Sequence, residues 1–249
     1  MRTLRSLWRL ALLVPFTAVL CLVNALGSRA PKRRARFLHV WARGAVRILG
    51  VRVKVSGSPP RPPVLLACNH LGYLDVVVLA SRTPGVFVAK SEVAGWPVLG
   101  PLVRQMGTIF VERGRRTDLT RVIESMEEAV TNGAGVTFFP EGTSSDGGSV
   151  LPFHPSLLEA AARAGFPVFC AGLRYRTRSG DPPAETSVAW WGDMTFAPHF
   201  RGLLGLRGIE ARVRFASEPV RGDDRKELAR VARERVIRAR GPAPEDRAP

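Results

Sequence analysis

The sequence predicts an α/β fold with a mixed, largely parallel sheet flanked by helices, preceded by an N-terminal membrane-inserting helical segment. From Val51 onward, short apolar runs alternate with amphipathic helical patterns, which is typical of helices that cover a sheet. Several of these runs are apolar throughout, as expected for strands that are buried on both faces. Before them, residues 10–27 form an uncharged run of 18 positions. A run of about 17–25 residues can span a bilayer.

We divide the chain of 249 residues into three segments. Residues 1–50 are predicted to be a membrane anchor followed by an amphipathic helix. Residues 51–240 are predicted to be one folded domain, because the remaining length suits one large core better than two. The last residues, 241–249 ("GPAPEDRAP"), have the composition of a disordered tail.

The N-terminal run "LALLVPFTAVLCLVNALG" has basic residues on both sides. A single span, a kinked or re-entrant insertion and a cleaved signal peptide are the alternatives. The apolar part of a signal peptide is shorter, about 7–15 residues, and positive charge just beyond it opposes export. We therefore expect an anchor at the cytoplasmic face of the inner membrane. Pro15 and Asn24 interrupt the run and allow a kinked or re-entrant insertion.

The next stretch, "RFLHVWARGAVRILG", predicts an amphipathic helix. Arg36, Arg43 and Arg47 fall on one face, and the other side is apolar with one tryptophan. Such a helix binds well to an anionic lipid surface. The alternative is an ordinary helix that packs on the domain.

The formal net charge of +16, from 37 Lys+Arg and 21 Asp+Glu, favours anionic partners such as acidic lipids or phosphorylated substrates. The chain contains no recognisable nucleic-acid motif, so we expect no nucleic-acid partner. Its three cysteines and four histidines are scattered without zinc-ligand spacing, so we expect no metal.

Seven apolar runs are strand candidates: residues 64–68, 86–89, 108–111, 135–139, 167–172, 186–191 and 210–215. Capping residues and apolar periodicity predict helices from Thr117 or Asp118 to Gly133, from about Ser156 to Gly165, and over residues 223–240. Residues 176–186 read as an exposed loop.

The stretch "NHLGYLD", residues 69–75, follows the first buried strand candidate. In a continuous helix, His70 and Asp75 would point about 140° apart, so they meet only if the chain bends, and Gly72 allows that bend. Asp75 would then accept a hydrogen bond from one ring nitrogen of His70 and leave the other as a base. The alternative is that Asn69 or Asp75 only caps a helix and His70 is incidental.

A second stretch, "FFPEGTSSDG", also ends a strand candidate, where α/β proteins build sites. Gly142 lets backbone N–H groups approach a ligand. Thr143, with the two serines after it, adds hydroxyl groups, and Glu141 adds a carboxylate that would orient a neighbour. The alternative is a hydrophilic loop.

Basic residues follow two further strand candidates. Lys90 ends "VFVAK", and Arg113, Arg115 and Arg116 follow "GTIFVE". Arginines in this position hold phosphate with paired donors. The alternative for each is a solvated charge.

The ordered set "NHLGYLD", "GTIFVER" and "FPEGTSS" resembles the first three motifs of the glycerolipid acyltransferase family, of the 1-acylglycerol-3-phosphate acyltransferase type. The segment "KSEVAGWPVLGPLVRQM" resembles the part of that family between its first and second motifs. The resemblance covers about residues 35–220, and it implies that residues 51–240 are an acyltransferase domain.

The resemblance implies that His70 is the general base and Asp75 its orienting partner. The acceptor hydroxyl would attack an acyl thioester, acyl-CoA or acyl carrier protein, without an acyl-enzyme and without a cofactor. Lys90 and Arg113 would bind phosphate. Backbone groups near Gly142, with Glu141 and Thr143, would complete the substrate site. The implied product is phosphatidate, made at a membrane from a lysolipid acceptor.

The sequence departs from the family pattern at two positions. Ser144 stands where the third motif commonly has arginine, and Cys170 stands near the proline of the fourth motif. The stretches "FPEGTSSDGGSVLPF" and "WWGDMTFAPHF" resemble the branch that acylates lyso-ornithine lipid. That acceptor has no glycerol phosphate, which fits the missing arginine.

Two other functions remain as alternatives to acyl transfer. A basic, membrane-attached binding protein for lipid or nucleic acid is supported by charge alone. A hydrolase that uses the same His-Asp pair would release free fatty acid without an acceptor.

Overall fold

A computed structural model describes residues 1–97, 99–112 and 116–242. Within these residues the strands are β1 (Val51–Ser56), β2 (Val64–Cys68), β3 (Val86–Lys90), β4 (Ile109–Val111), β5 (Gly135–Phe138), β6 (Val168–Thr177) and β7 (Ile209–Phe215). The α-helices are α1 (Arg2–Ala25), α2 (Pro31–Ile48), α3 (Leu74–Ala80), α4 (Leu99–Gln105), α5 (Arg116–Thr131), α6 (Glu159–Ala164), α7 (Ala184–Ser187), α8 (Phe196–Gly205) and α9 (Arg225–Arg240).

Within the described chain, the strands form one seven-stranded sheet in the order β1-β7-β6-β2-β5-β3-β4. Neighbouring strands are parallel except β6 and β7, which pair antiparallel. This confirms the predicted mixed, largely parallel sheet. All five residues of β2 are buried, as a central strand covered on both faces should be.

Helices cover both faces of the sheet. Apolar residues of α2, α3 and α8 pack on one face. Residues of α5, α6 and α9 pack on the other. The sheet therefore has a separate hydrophobic core on each side, as an α/β architecture requires.

The helix ends follow the expected chemistry. Asp224 accepts hydrogen bonds from the backbone N–H groups of Lys226 and Glu227, at 2.7 and 2.9 Å, and so caps α9. Gly165 ends α6 in the left-handed conformation, with φ of 67°. The helix predicted to begin near Ser156 begins with a 3₁₀ turn, Pro155–Leu158, before α6.

Two features of the sheet differ from the prediction. Residues 186–191 are not a strand: α7 ends at Ser187 and an irregular segment follows. Conversely, Val51–Ser56 forms β1 at the edge of the sheet. The tail prediction for residues 241–249 falls mostly on residues 243–249, which lie outside the described residues.

The N-terminal helix α1 is 24 residues long and contains Pro15. Among the described helices it alone is long and apolar enough to cross a membrane, with a mean hydropathy of 2.0 in its most apolar window. It also contacts the domain. Arg9 donates to the carbonyl oxygens of Leu204 and Leu206, both at 2.9 Å, at the C-terminal end of α8.

Candidate active site

The candidate site lies where two neighbouring parallel strands end. β2 leads into "NHLGYLD", and β5 leads into "FPEGTSS". Because β2 and β5 pair in parallel, from Val64 opposite Gly135 to Ala67 opposite Phe138, the two loops leave the same edge of the sheet side by side. Open α/β sheets bind ligands at this edge.

His70 and Asp75 form a hydrogen-bonded pair, with His70 Nδ1 and Asp75 Oδ2 2.8 Å apart. The chain turns between them, so that the backbone N–H groups of Leu71 and Gly72 also donate to Asp75 Oδ2, at 2.6 and 3.0 Å. A side chain at Gly72 would meet the backbone nitrogen of Trp190 at 2.9 Å. The glycine therefore serves both the bend and this close approach.

The pair fixes the tautomer of His70. A carboxylate only accepts hydrogen bonds, so Nδ1 carries the proton and Nε2 has a free lone pair. The ring stacks on Phe139, with ring centroids 4.1 Å apart, and its side chain is 22% exposed. His70 also lines the large cavity of the structure. This arrangement makes the second ring nitrogen of His70, Nε2, a candidate base beside the cavity.

Glu141 holds the backbone of the site. Its carboxylate is buried and accepts from the N–H of His70 at 2.7 Å and from the N–H of Leu151 at 2.8 Å. Burial raises the pKa of the Glu141 carboxyl, and the two backbone hydrogen bonds oppose that rise. The sequence predicted Glu141 among the substrate-binding residues, with a carboxylate that would orient a neighbour. Its contacts indicate that it positions His70.

The remaining residues of the loop after β5, Gly142 to Ser144, differ in their contacts. The Gly142 N–H donates to the carbonyl of Phe139 at 3.0 Å, so this particular N–H is used within the turn. Thr143 is exposed and lines the cavity. Ser144 Oγ donates to the Trp190 carbonyl at 2.6 Å. Position 144 therefore joins the loop to the irregular segment after α7.

The basic residues predicted to bind phosphate are placed only in part. Lys90 is exposed at the end of β3 and lines the cavity. Arg113 and Arg115 lie outside the described residues, as does the side chain of Arg116, so their proposed role stays a prediction.

The cavity beside His70 has a volume of about 2060 Å³. Its lining includes α1 residues such as Leu10, Leu13 and Val14, together with Trp41 of α2. The N-terminal helices are therefore part of the wall of the site. The described residues contain no group of three or more His, Cys, Asp or Glu side chains that would hold a metal ion.

Several residues that build the site were not identified from the sequence as functional. Asn69 bridges β2 to β6: its amide nitrogen donates to the Leu173 carbonyl at 3.0 Å, and its oxygen accepts from the Leu173 N–H at 2.7 Å. It therefore does not act as a helix cap. Arg233 of α9 donates to the carbonyls of Val150 and Leu151 at 2.7 and 3.0 Å. No local signal marks either contact, because each partner is distant in sequence.

The chain is similar to known acyltransferases. Residues 52–174 match the family model described as "Acyltransferase". The lyso-ornithine lipid O-acyltransferase of Brucella abortus is 36% identical over 239 residues, which are 90% of this chain and 86% of the relative.

The 1-acyl-sn-glycerol-3-phosphate acyltransferase of Neisseria meningitidis serogroup B is 30% identical over 210 residues, 83% of this chain and 81% of the relative. The crystal structure of the 1-acyl-sn-glycerophosphate acyltransferase from Thermotoga maritima has the same fold, with a TM-score of 0.66 at 21% identity, covering 95% of this chain and 96% of that one. The chain belongs to the acyltransferase family that includes 1-acyl-sn-glycerol-3-phosphate acyltransferases and lyso-ornithine lipid O-acyltransferases, and it is an acyltransferase.

Proposed function

We propose that the protein transfers a fatty acyl group from an acyl thioester to the hydroxyl of 1-acyl-sn-glycerol 3-phosphate, giving phosphatidate. The observation that carries this proposal is the His70–Asp75 pair at 2.8 Å, whose second ring nitrogen is free beside a cavity large enough for lipid chains. Acyl-CoA and acyl carrier protein are both donors of the required chemical class.

In this mechanism His70 Nε2 takes the proton of the acceptor hydroxyl while the oxygen attacks the thioester carbonyl. Asp75 stabilises the imidazolium that forms. The carbon–sulfur bond breaks as the tetrahedral intermediate collapses, and His70 returns the proton to the departing thiolate. General-base assistance of this kind contributes about 10²–10⁴ in rate.

The site supports direct transfer rather than an acyl-enzyme. Cys68, two residues before His70, is fully buried, and burial raises the pKa of its thiol well above the ordinary value. It therefore stays a protonated thiol, which is a poor nucleophile. Because the Gly142 N–H is used within its turn, the next backbone N–H, at Thr143, is our candidate donor to the oxyanion.

We also propose that α1 lies in the plane of the membrane surface instead of crossing it. Arg9 near its start bonds to the end of α8, and Gln105 Nε2 of α4 donates to the Cys21 carbonyl near its end, at 2.7 Å. Both ends thus contact the same domain, whereas a span would carry one end about 30 Å away. The outward side is apolar and exposed at Leu4, Leu7, Trp8, Val19, Leu22, Val23 and Leu26.

The membrane face follows from the flanking charge. Arg2, Arg5 and Arg9 lie in the first half of α1, and further basic residues follow α1 and continue into α2. Positive segments are retained on the cytoplasmic side. We therefore propose attachment at the cytoplasmic face of the inner membrane, where phospholipid biosynthesis has its lysolipid acceptor in the bilayer.

Lyso-ornithine lipid is a second candidate acceptor, favoured by two observations. Ser144 stands where related motifs commonly have arginine, and its hydroxyl bonds to the Trp190 carbonyl. This position therefore supplies no cation for a phosphate group. The relatives named for lyso-ornithine lipid also match over up to 90% of this chain.

The test is an assay of purified wild-type and His70→Ala protein with an acyl thioester and each lysolipid. We expect the transfer rate of His70→Ala to be lower than that of the wild type by a factor of about 10²–10⁴. We expect the two proteins to have the same Tm. Product formation from lysophosphatidate supports the first acceptor, and formation of ornithine lipid supports the second. Wild-type turnover by His70→Ala would disprove the mechanism. Free fatty acid released without acceptor would indicate a hydrolase.

A further inference from the structure

Strand β6 places a tyrosine behind the catalytic pair. Tyr175 Oη donates to Asp75 Oδ1 at 2.9 Å, across 100 positions of sequence. Asp75 is 0% exposed and Tyr175 is 8% exposed. The tyrosine does not face the cavity that we assign to the substrates, and nothing in the proposed chemistry uses it.

The two oxygens of Asp75 have different partners. Oδ2 receives the His70 ring N–H and the two backbone N–H groups described above. Among the described residues, Oδ1 receives one hydrogen bond, from Tyr175. Because the carboxylate has no contact with solvent, water does not replace a lost donor. The tyrosine hydroxyl thus fixes how the carboxylate plane is turned toward His70.

We propose that Tyr175 is a positioning residue of the reaction, which holds the Asp75 carboxylate oriented so that His70 keeps its proton on Nδ1. This inference rests on the proposed role of the His70–Asp75 pair. It extends the His70–Asp75 pair to three hydrogen-bonded side chains, from Tyr175 through Asp75 to His70.

The surroundings suit this role. Burial, with the nearby Asp75 charge, raises the pKa of Tyr175 well above its usual value, so the phenol remains a donor throughout the working range. The other titratable groups around the pair are Cys68 from β2, Tyr73 from the loop before α3, and Glu141 from the loop after β5. Cys68 remains a thiol because burial raises its pKa. The hydroxyl of Tyr73 lies 2.8 Å from His199 Nδ1, so Tyr73 does not compete for Asp75.

Tyr175→Phe removes the hydroxyl and keeps the ring. We expect kcat to fall about tenfold with KM within about twofold, because the lost contact acts on the reacting base and not on substrate binding. Hydrogen bonding to a carboxylate favours its ionised form. Without it the pair takes up a proton more readily, so the acid limb of the pH–kcat profile should move up by about half a pH unit or more.

Ser81→Ala is the matched control. Ser81 is a buried hydroxyl at the end of the same helix α3, where it donates to the Val78 carbonyl at 2.7 Å without touching the pair. We expect it to lower thermal stability while leaving the position of the acid limb unchanged. A site-specific 3-fluorotyrosine at position 175 gives a second variant: its more acidic phenol is a stronger donor, so the acid limb should move to lower pH.

The measurements are kcat, KM, their pH profiles and thermal unfolding on full-length protein with the acceptor found active. The proposal is overturned if Tyr175→Phe keeps kcat within twofold. It is also overturned if kcat falls but neither variant moves the acid limb, because the hydroxyl would then be only structural. Wild-type activity in His70→Ala would instead refute the proposed function. Inactive His70→Ala beside a normal Tyr175→Phe would refute only this inference.

Discussion

Replacing Glu141 by glutamine tests whether this residue positions the base or binds the acceptor. The carboxylate accepts two backbone hydrogen bonds, from His70 at 2.7 Å and from Leu151 at 2.8 Å. A glutamine side chain has one accepting oxygen and one donating NH₂ group. In either orientation, one backbone N–H therefore faces another donor inside a buried site.

The magnitude follows from these two contacts. A hydrogen bond to a charged group contributes about 1.5–3 kcal/mol. Glu141→Gln loses one such bond outright and converts the other to a neutral bond. It also removes a buried charge, whose cost is shown by the raised pKa of the Glu141 carboxyl. We expect a net loss of about 1–3 kcal/mol, which lowers Tm by about 2–12 °C at about 2–4 °C per kcal/mol for a chain of this size.

Activity should also fall, because the substitution loosens the contact that holds the His70 backbone in place. We expect kcat to drop about tenfold, since a small displacement of a base is costly, and KM for the lysolipid to change less than about twofold. Glu159→Gln is the control, because Glu159 makes an exposed ion pair with Arg225 at 3.0 Å, which is worth about 0–1 kcal/mol. The assay combines calorimetry with acceptor saturation kinetics. A large rise in KM at unchanged kcat would refute the positioning role and support direct contact with the acceptor.

Three further predictions concern the helix cap, the membrane surface and the acceptor. Asp224→Ala should lower Tm by a few degrees without changing kcat, because it removes the side chain that caps α9. Asp223→Ala, at the neighbouring position that does not cap the helix, should lower Tm by less than half as much; equal losses in calorimetry would contradict the cap. Trp8→Glu should weaken co-sedimentation of the protein with anionic vesicles, because Trp8 is exposed on α1. Ile237→Glu should not, because Ile237 is exposed on α9, over the opposite face of the sheet. Equal binding by the wild type and both variants would argue against α1 as the membrane contact. Ser144→Arg should tighten apparent binding of lysophosphatidate by at most about tenfold, equivalent to about 1.4 kcal/mol, and should gain little for lyso-ornithine lipid; equal changes in saturation kinetics would show that residue 144 does not face the head group.

The strands that could be predicted were those whose burial produces a clear apolar pattern in the local sequence. The run "VLLAC" is apolar throughout because β2 is covered on both faces, and it was predicted with the bounds that the structure has. The edge strand β1 is buried only at its start, so its alternating sequence gave a weaker signal. The run "TSVAWW" has apolar residues for another reason: it packs against the loop that follows β2, where the Trp190 N–H donates to the Leu71 carbonyl at 2.7 Å.

The His70–Asp75 pair could be predicted because its geometry is local. Five positions and one glycine are enough to bring the two side chains together, and the resemblance of the ordered motifs supplied the chemistry. The same motifs suggested Glu141 as a substrate-binding residue. A sequence cannot show that both oxygens of a carboxylate will be taken by backbone N–H groups, one of them 71 positions away.

The sequence by itself determined the fold class, the family and the pairing of His70 with Asp75, because these depend on burial patterns and short spacings. Only the tertiary structure decided which parts of the domain α1 contacts and which side chains support the His70–Asp75 pair. The Tyr175 contact with Asp75 depends on the register of β6 beside β2, in which Cys68 lies opposite Ala171. That register is set by packing of the whole sheet, so the local sequences of β2 and β6 do not predict it.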